Sequence, residues 1–287
     1  MRATTRRVGT VVDQLHYVKV SDATLSLERF PDFLIAGPQR TGTTWLHAHL
    51  RYHPEIFLSE PKELFFFSRL NTPHSPKFES NDIAWYLQFF HDPPWRHALK
   101  TAVTLWKYHQ LYRPRVRGEA TASYAVLDPD VICEITALNP DIKVILMIRN
   151  PIERAWSHAK KDLVRNRGRR IEEVAESEFT AFFNDPYQRR CARYVENYDN
   201  WAAHLKDGHL LVAHFDDIAS HPEALLLRVM SFLGVTSSTR YIDRAVREAV
   251  NPTVASEVPD HYRHLLEALL KDDIENLRRR FGLSWSK

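Results

Sequence analysis

Cysteine, glycine and methionine are all scarce: two, eight and three residues respectively in a chain of 287. Cys133 and Cys191 stand far apart with no CxxC, so neither a disulfide framework nor a cysteine zinc site is supported, and a reducing compartment is expected. Long hydrophobic runs are missing as well. No stretch approaches the roughly 18 uncharged apolar residues of a membrane span. The basic start, Met1-Arg2-Ala3-Thr4-Thr5-Arg6-Arg7, leads into residues 8–20, which Asp13, Gln14, His16 and Lys19 interrupt, so no secretory core follows it. These absences predict a cytoplasmic protein without a membrane partner. An excess of one charge is lacking too: 39 cations against 36 acids give +3, too balanced to imply nucleic-acid binding. What is present is ordinary for a folded chain, 44% hydrophobic and 26% charged. Arginine supplies 28 of the 39 cations, a bias toward planar, bidentate contact with oxyanions.

The length predicts one large or two small domains. Residues 1–30 are mixed and polar, an arm or short strand pair, and 31–287 form the folded domain. Phe33-Leu34-Ile35-Ala36 reads as a buried strand ending at Gly37. A helix follows from Thr43 to about Tyr52, stopped by Pro54. Ile83, Tyr86, Leu87 and Phe90 recur on one helical face. Asp128-Pro129 opens a helix carrying Val131, Ile132, Ile135 and Leu138, which Asn139-Pro140 closes. Residues 142–148 are nearly continuously apolar and β-branched, as a parallel strand covered on both faces should be. Asn150-Pro151 opens the next helix, 210–215 is a third strand, and 222–232 is its helix, ended by Gly234. Strands alternating with helices predict an α/β fold: one central parallel sheet flanked by helices.

Gly37 and Gly42 fall together between the first strand and its helix, in Gly37-Pro38-Gln39-Arg40-Thr41-Gly42-Thr43-Thr44. The spacing is that of a P-loop, GxxxxGK[ST], with Thr43 in place of the lysine. Backbone N–H groups of residues 41 to 45, at a helix N-terminus, can cradle an anion. The lysine that would reach β and γ phosphates is gone, and the cation has moved to Arg40. The loop therefore suits a phosphate-like group but is poorly suited to hydrolysing ATP.

Gly37 to Leu46, with Trp45 following the two threonines, resembles the 5′-phosphosulfate loop of the sulfotransferases that use 3′-phosphoadenosine 5′-phosphosulfate. Ile148-Arg149-Asn150-Pro151-Ile152-Glu153-Arg154-Ala155-Trp156-Ser157 is similar to that family's 3′-phosphate motif. Further matches are Pro61-Lys62-Glu63-Leu64-Phe65-Phe66, Gly118-Glu119-Ala120-Thr121, residues 194–201, Phe232-Leu233-Gly234 and Phe281-Gly282-Leu283-Ser284-Trp285. The resemblance spans about 33 to 286 and is nearer the carbohydrate and tyrosylprotein enzymes than the cytosolic phenol and steroid ones.

It implies a P-loop-like sulfotransferase fold, the phosphosulfate nucleotide as co-substrate, no metal, and a small-molecule or carbohydrate acceptor. Gln39, Arg40, Thr41, Gly42, Thr43, Thr44 and Trp45 would hold the donor's 5′ side, Arg149 and Ser157 its 3′-phosphate, and Arg247 and Asn251 a loop closing over the nucleotide. Arg40 stands where many relatives carry lysine. Because arginine does not give up a proton, its role is electrostatic stabilisation of the leaving bisphosphate. Glu63 is the candidate general base, activated if Phe65, Phe66 and Phe67 raise its pKa; His47 competes for the task, its unperturbed pKa better placed. His47, His49 and His53 include an i, i+4 pair but no HExxH, so no zinc site is expected. Two other readings stay open. A nucleotide kinase would use Asp216 or Asp217 at a strand end, and a catalytically silent nucleotide-binding protein would keep only the fold. The Arg165-Asn166-Arg167-Gly168-Arg169-Arg170 run reads as a solvated loop.

Overall fold

A computed structural model describes residues 6–75, 78–243, 246 and 257–285. Strand β1 (Phe33–Ala36) leads through the glycine loop into helix α1 (Thr43–Leu50), which ends two residues earlier than the sequence pattern suggested. After it come β2 (Ile56–Leu58), α2 (Pro94–Tyr108), β3 (Val116–Ala120), α3 (Pro129–Leu138) and β4 (Lys143–Ile148). Helix α4 (Pro151–Ala159) precedes a run of shorter helices, α5 (Glu176–Asn184), α6 (Pro186–Ala192) and α7 (Tyr194–Ala202). The chain closes with β5 (Leu210–His214), α8 (Pro222–Leu233), α9 (Asp260–Leu269) and α10 (Lys271–Phe281).

The five strands are all parallel, in the order β2-β3-β1-β4-β5. Alternation along them builds two cores. Phe33 and Ile35 of β1 and Ile145 and Met147 of β4 face the layer that contains Trp45, Leu46 and Leu50 of α1 and Leu226, Val229 and Met230 of α8. Leu34, Ala36, Val144, Leu146 and Ile148 face the other layer, with Ile132 and Ile135 of α3 and Trp201 of α7. A third cluster joins Trp156 of α4 to Phe179 and Phe183 of α5 and to Tyr262 and Leu266 of α9. Residues 6–30 make three short 3-10 turns that bury Val8, Val11, Val18, Leu27 and Phe30 against the α3 side. Glu134 of α3 ties them down, accepting from the backbone N–H groups of His16, Tyr17 and Val18 at 2.7–2.9 Å.

Neighbouring strands β1 and β4 send their connections to different helices from adjacent carboxyl ends. Chain direction across the sheet reverses between them, which is where open α/β sheets place ligands. The loops after β1 and β4 meet at that crevice.

Candidate functional site

Two loops are held in left-handed backbone. Four non-glycine residues among those described have positive φ, and three lie in the two loops singled out from sequence: Arg40 at 77°, Glu63 at 66° and Phe65 at 57°. Such conformations cost of order 1–3 kcal/mol each and gather at functional sites. Gly42 caps α1 at φ 93°, where a Cβ would lie 2.4 Å from Ile218 Cδ1 and 3.1 Å from Phe215 Cδ2. Only glycine combines that backbone with so close an approach to the segment that follows β5. Inside the loop the buried Thr41 hydroxyl donates to the Pro38 carbonyl at 2.8 Å. Gln39 and the Tyr187 hydroxyl are joined at 2.6 and 2.8 Å, clasping the loop to α6. Trp45 donates from its indole N–H to the Val246 carbonyl at 3.2 Å. Thr43 and Thr44 form the first turn of α1, Thr43 buried and Thr44 half-buried.

Arg40 bridges the two motifs. Its Nε donates to Ser157 Oγ on α4 at 2.9 Å, and its carbonyl accepts from Arg149 Nη1 at 3.2 Å. Arg149 follows β4 directly, lies 4.1 Å over the Phe215 ring, and pairs with Glu153 at 3.2 Å, leaving its buried Nε without a partner. Burial first, then the neighbouring charges of Arg149 and Arg165, push the Arg40 guanidinium below its ordinary value. Lys160 is lowered likewise, by burial and then by Arg149 and Arg40. It opens a π-helical turn, Lys160–Val164, that prolongs α4; such turns recur at functional sites. Crowding of this kind is tolerated where an anion is to be received.

Sequence reading missed Lys160, Arg165 and Phe215 as parts of this cluster. Ser157 offered the signal for Lys160, one helical turn further on. The rest of the basic run behaves as a loop: Arg167 and Arg169 pair with Glu178, and Arg170 with Glu173.

Glu63 stands beside the end of β3, its N–H donating to the Ala120 carbonyl at 3.0 Å. Lys62 Nζ holds its carboxylate at 2.6 Å, the two side chains being 17% and 28% exposed. Glu119, one residue before Ala120, is completely buried. Burial pushes its carboxyl up to about 7 against the pull of the Tyr86, Thr121 and Tyr124 hydroxyls, with Glu63's charge adding to the rise. His47, on α1, is buried with no partner for Nε2. Burial, then Lys62 and Arg51, bring it down to about 4. His49 packs on Trp45, ring centroids 4.5 Å apart. His53 is spent on backbone, its Nε2 3.0 Å from the Thr236 carbonyl while Nδ1 accepts from the Glu55 N–H at 3.1 Å. Among the described residues no group of three or more His, Cys, Asp or Glu side chains could hold a metal ion. Asp216 accepts from the Trp285 indole at 2.7 Å and Asp217 pairs with Arg228 at 3.4 Å. Arg247 and Asn251 lie outside the described residues.

Residues 30–279 match the sulfotransferase domain family model. The chain belongs to the sulfotransferase domain family. It is 29% identical over 223 residues to a human protein named bifunctional heparan sulfate N-deacetylase/N-sulfotransferase 2, an alignment covering 75% of this chain and 23% of that protein. The chain thus spans about a quarter of the length of that relative. A sulfotransferase from Alicyclobacillus acidocaldarius shares the fold with a TM-score of 0.59 at 23% identity, over 89% of this chain and 97% of the other. One from Mycobacterium avium does so at 0.54 and 12% identity, over 88% and 77%. Against this sulfotransferase fold, the expected architecture of one parallel sheet flanked by helices holds, with two strands more than the sequence pattern revealed. No helix among the described residues is long and apolar enough to cross a membrane.

Proposed function

We propose that this sulfotransferase-family chain moves a sulfuryl group from 3′-phosphoadenosine 5′-phosphosulfate to a hydroxyl or amine of a small-molecule or carbohydrate acceptor. The observation that carries this reading is the cation crowding of Arg40, Arg149, Lys160 and Arg165 beside the glycine loop, at the carboxyl ends of β1 and β4. A donor with phosphates at both ends of its ribose answers that charge. Loop amides of residues 41 to 45 and Arg40 take the 5′ side, and Arg149 and Ser157 the 3′-phosphate.

In the transfer, a bond from the acceptor atom to sulfur forms as the bond from sulfur to the donor's phosphate oxygen breaks. The acceptor's proton passes to the Glu63 carboxylate, and charge gathering on the departing bisphosphate falls to Arg40 and the loop amides. Glu63 is favoured as base because its strained backbone and its bond to Ala120 fix it at the carboxyl end of β3. His47, buried and held near 4, is a weak competitor at neutral pH. The acids a kinase would need, Asp216 and Asp217, are engaged with Trp285 and Arg228. Free thiols at Cys133 and Cys191 suit the cytoplasm.

Incubation with sulfur-labelled donor and a panel of sugars, amino sugars and phenols tests the reading. Label transferred to one acceptor class supports it. Bisphosphate binding without transfer to any class, or magnesium-dependent ATP turnover, overturns it.

A further inference from the structure

Helix α2 is built inside out. Its apolar residues Trp95, Leu99, Leu105 and Trp106 are 71%, 59%, 42% and 78% exposed. Trp95, Leu99, Ala102 and Trp106 recur at helical spacing along one ridge. The opposite face, turned to the protein, carries Arg96, Lys100, Thr104 and Tyr108. Arg96 lies 4.8 Å over the Phe57 ring and donates to the Leu58 carbonyl at 3.1 Å. Lys100 sits between the rings of Phe57 and Tyr112, at 5.4 and 5.1 Å. A helix that spends desolvation on two cations while giving two tryptophans to water is arranged for something that covers the outer face.

Charge says what. Residues 91–117 hold six cations, Arg96, Lys100, Lys107, Arg113, Arg115 and Arg117, against the single acid Asp92, a net +5 in a chain whose total is +3, so the remainder sums to −2. Glu60, Asp243 and Glu55 answer Arg96, Lys107 and Arg115 through space and Lys100 is turned inward, while Arg113 and Arg115 stand exposed at the surface beside the helix. A second copy of this chain would set two such cationic surfaces against each other. An acidic bilayer matches both features: tryptophan and leucine enter the boundary between headgroups and acyl chains, and the flanking cations meet anionic headgroups. Lys107, next to Trp106 and 29% exposed, pairs with Asp243 at 2.7 Å and lies 5.3 Å over the Tyr52 ring.

We propose that the exposed ridge of α2, with the basic residues around it, docks the protein onto an anionic lipid surface. On its protein-facing side the same helix pairs Arg96 with Glu60 at 3.5 Å, three residues before Glu63, so the docking helix is tied to the segment that carries the candidate base.

Flotation of the full chain with vesicles tests this without any turnover, so it stands or falls apart from the sulfuryl-transfer reading. The protein should float with vesicles of equal parts phosphatidylglycerol and phosphatidylcholine, float poorly with phosphatidylcholine alone, and detach as salt rises. Trp95→Ser with Trp106→Ser should lower vesicle affinity on the order of tenfold or more. Both sites are exposed, and an unchanged thermal melt would certify the fold. As an independent arm, Arg113→Glu with Arg115→Glu, also in the exposed surround, should weaken binding to the anionic vesicles. Flotation equal on both vesicle types, no flotation, or undiminished binding by the tryptophan variant would each overturn the proposal. So would sedimentation of the wild-type chain as a dimer that the tryptophan variant dissociates.

Discussion

Arg40 Nε, in the loop after β1, and Ser157 Oγ, on the helix α4 that follows β4, lie 2.9 Å apart. Two motifs separated by more than a hundred residues thus share one hydrogen bond, and the carbonyl of the same arginine anchors Arg149. The groups assigned to opposite ends of the donor form a single connected unit, in which the 3′-phosphate site and the leaving-group site report on each other.

Donor selectivity follows from that unit. The protein is expected to bind 3′,5′-adenosine bisphosphate far better than 5′-AMP, because Arg149 and Ser157 gain a partner only from the 3′-phosphate. Loss of a charged hydrogen-bond pair costs about 2 kcal/mol, some thirtyfold in affinity. Arg149→Ala should erase most of the difference, as titration calorimetry with the two nucleotides would reveal. Equal affinity of the wild-type protein for both would sink the donor assignment.

Arg40 should behave differently from Arg149. If it meets charge that develops on the leaving bisphosphate, Arg40→Ala lowers kcat more than it raises the donor KM, since the interaction strengthens in the transition state. Steady-state kinetics with varied donor separate the two effects. A variant with normal turnover and only weakened donor binding would make Arg40 a ground-state clamp.

Which parts were legible in sequence follows from where the signal resides. Strands β1 and β4 read clearly because both their faces are buried, leaving a nearly continuous apolar run. Strand β2 has only three residues, and β3 carries Arg117, Gly118 and Glu119 in its middle, so neither presents a recognisable pattern. The glycine loop is legible because local backbone geometry demands its residues. The clasp of Gln39 by Tyr187, the Phe215 ring under Arg149 and the cation pair Lys160 and Arg165 are made by tertiary proximity, on which spacing is silent. The ridge of α2 escaped for another reason: its pattern is a normal amphipathic helix, and only the structure tells which face looks outward.

Glu119 and His47 carry opposite pH signatures. Burial raises Glu119 from about 4.5 to about 7 and lowers His47 from about 6.5 to about 4. The folded chain therefore keeps a proton on Glu119 that the unfolded chain releases; that contribution is complete below about 4.5 and is lost as pH rises through about 7. For His47 the unfolded chain takes up a proton that the folded chain refuses, so stability falls as pH drops from about 6.5 to about 4. Glu119→Gln removes the titration, so the melting temperature of the variant relative to wild type should climb across the first window. His47→Asn should blunt the loss across the second. Melting curves at a series of pH values check both, and differences that do not vary with pH would refute the assigned burial of these groups.

The choice of base rests on Glu63 and His47, and an acceptor whose hydroxyl has a high pKa makes proton removal matter. Loss of a positioned general base costs roughly 10² to 10⁴ in rate, whereas loss of a packed histidine acts mainly through stability. Glu63→Gln keeps size and hydrogen bonding, including the reach toward Lys62, while removing basicity. It should abolish most turnover and leave bisphosphate affinity intact. His47→Asn should keep substantial activity at temperatures where it stays folded, because His47 is buried and the charges of Lys62 and Arg51 oppose its protonation. Reversed outcomes would transfer the role to His47 and require that acceptor binding open its pocket. If both variants stay active with such an acceptor, neither residue is the base and another group takes the proton.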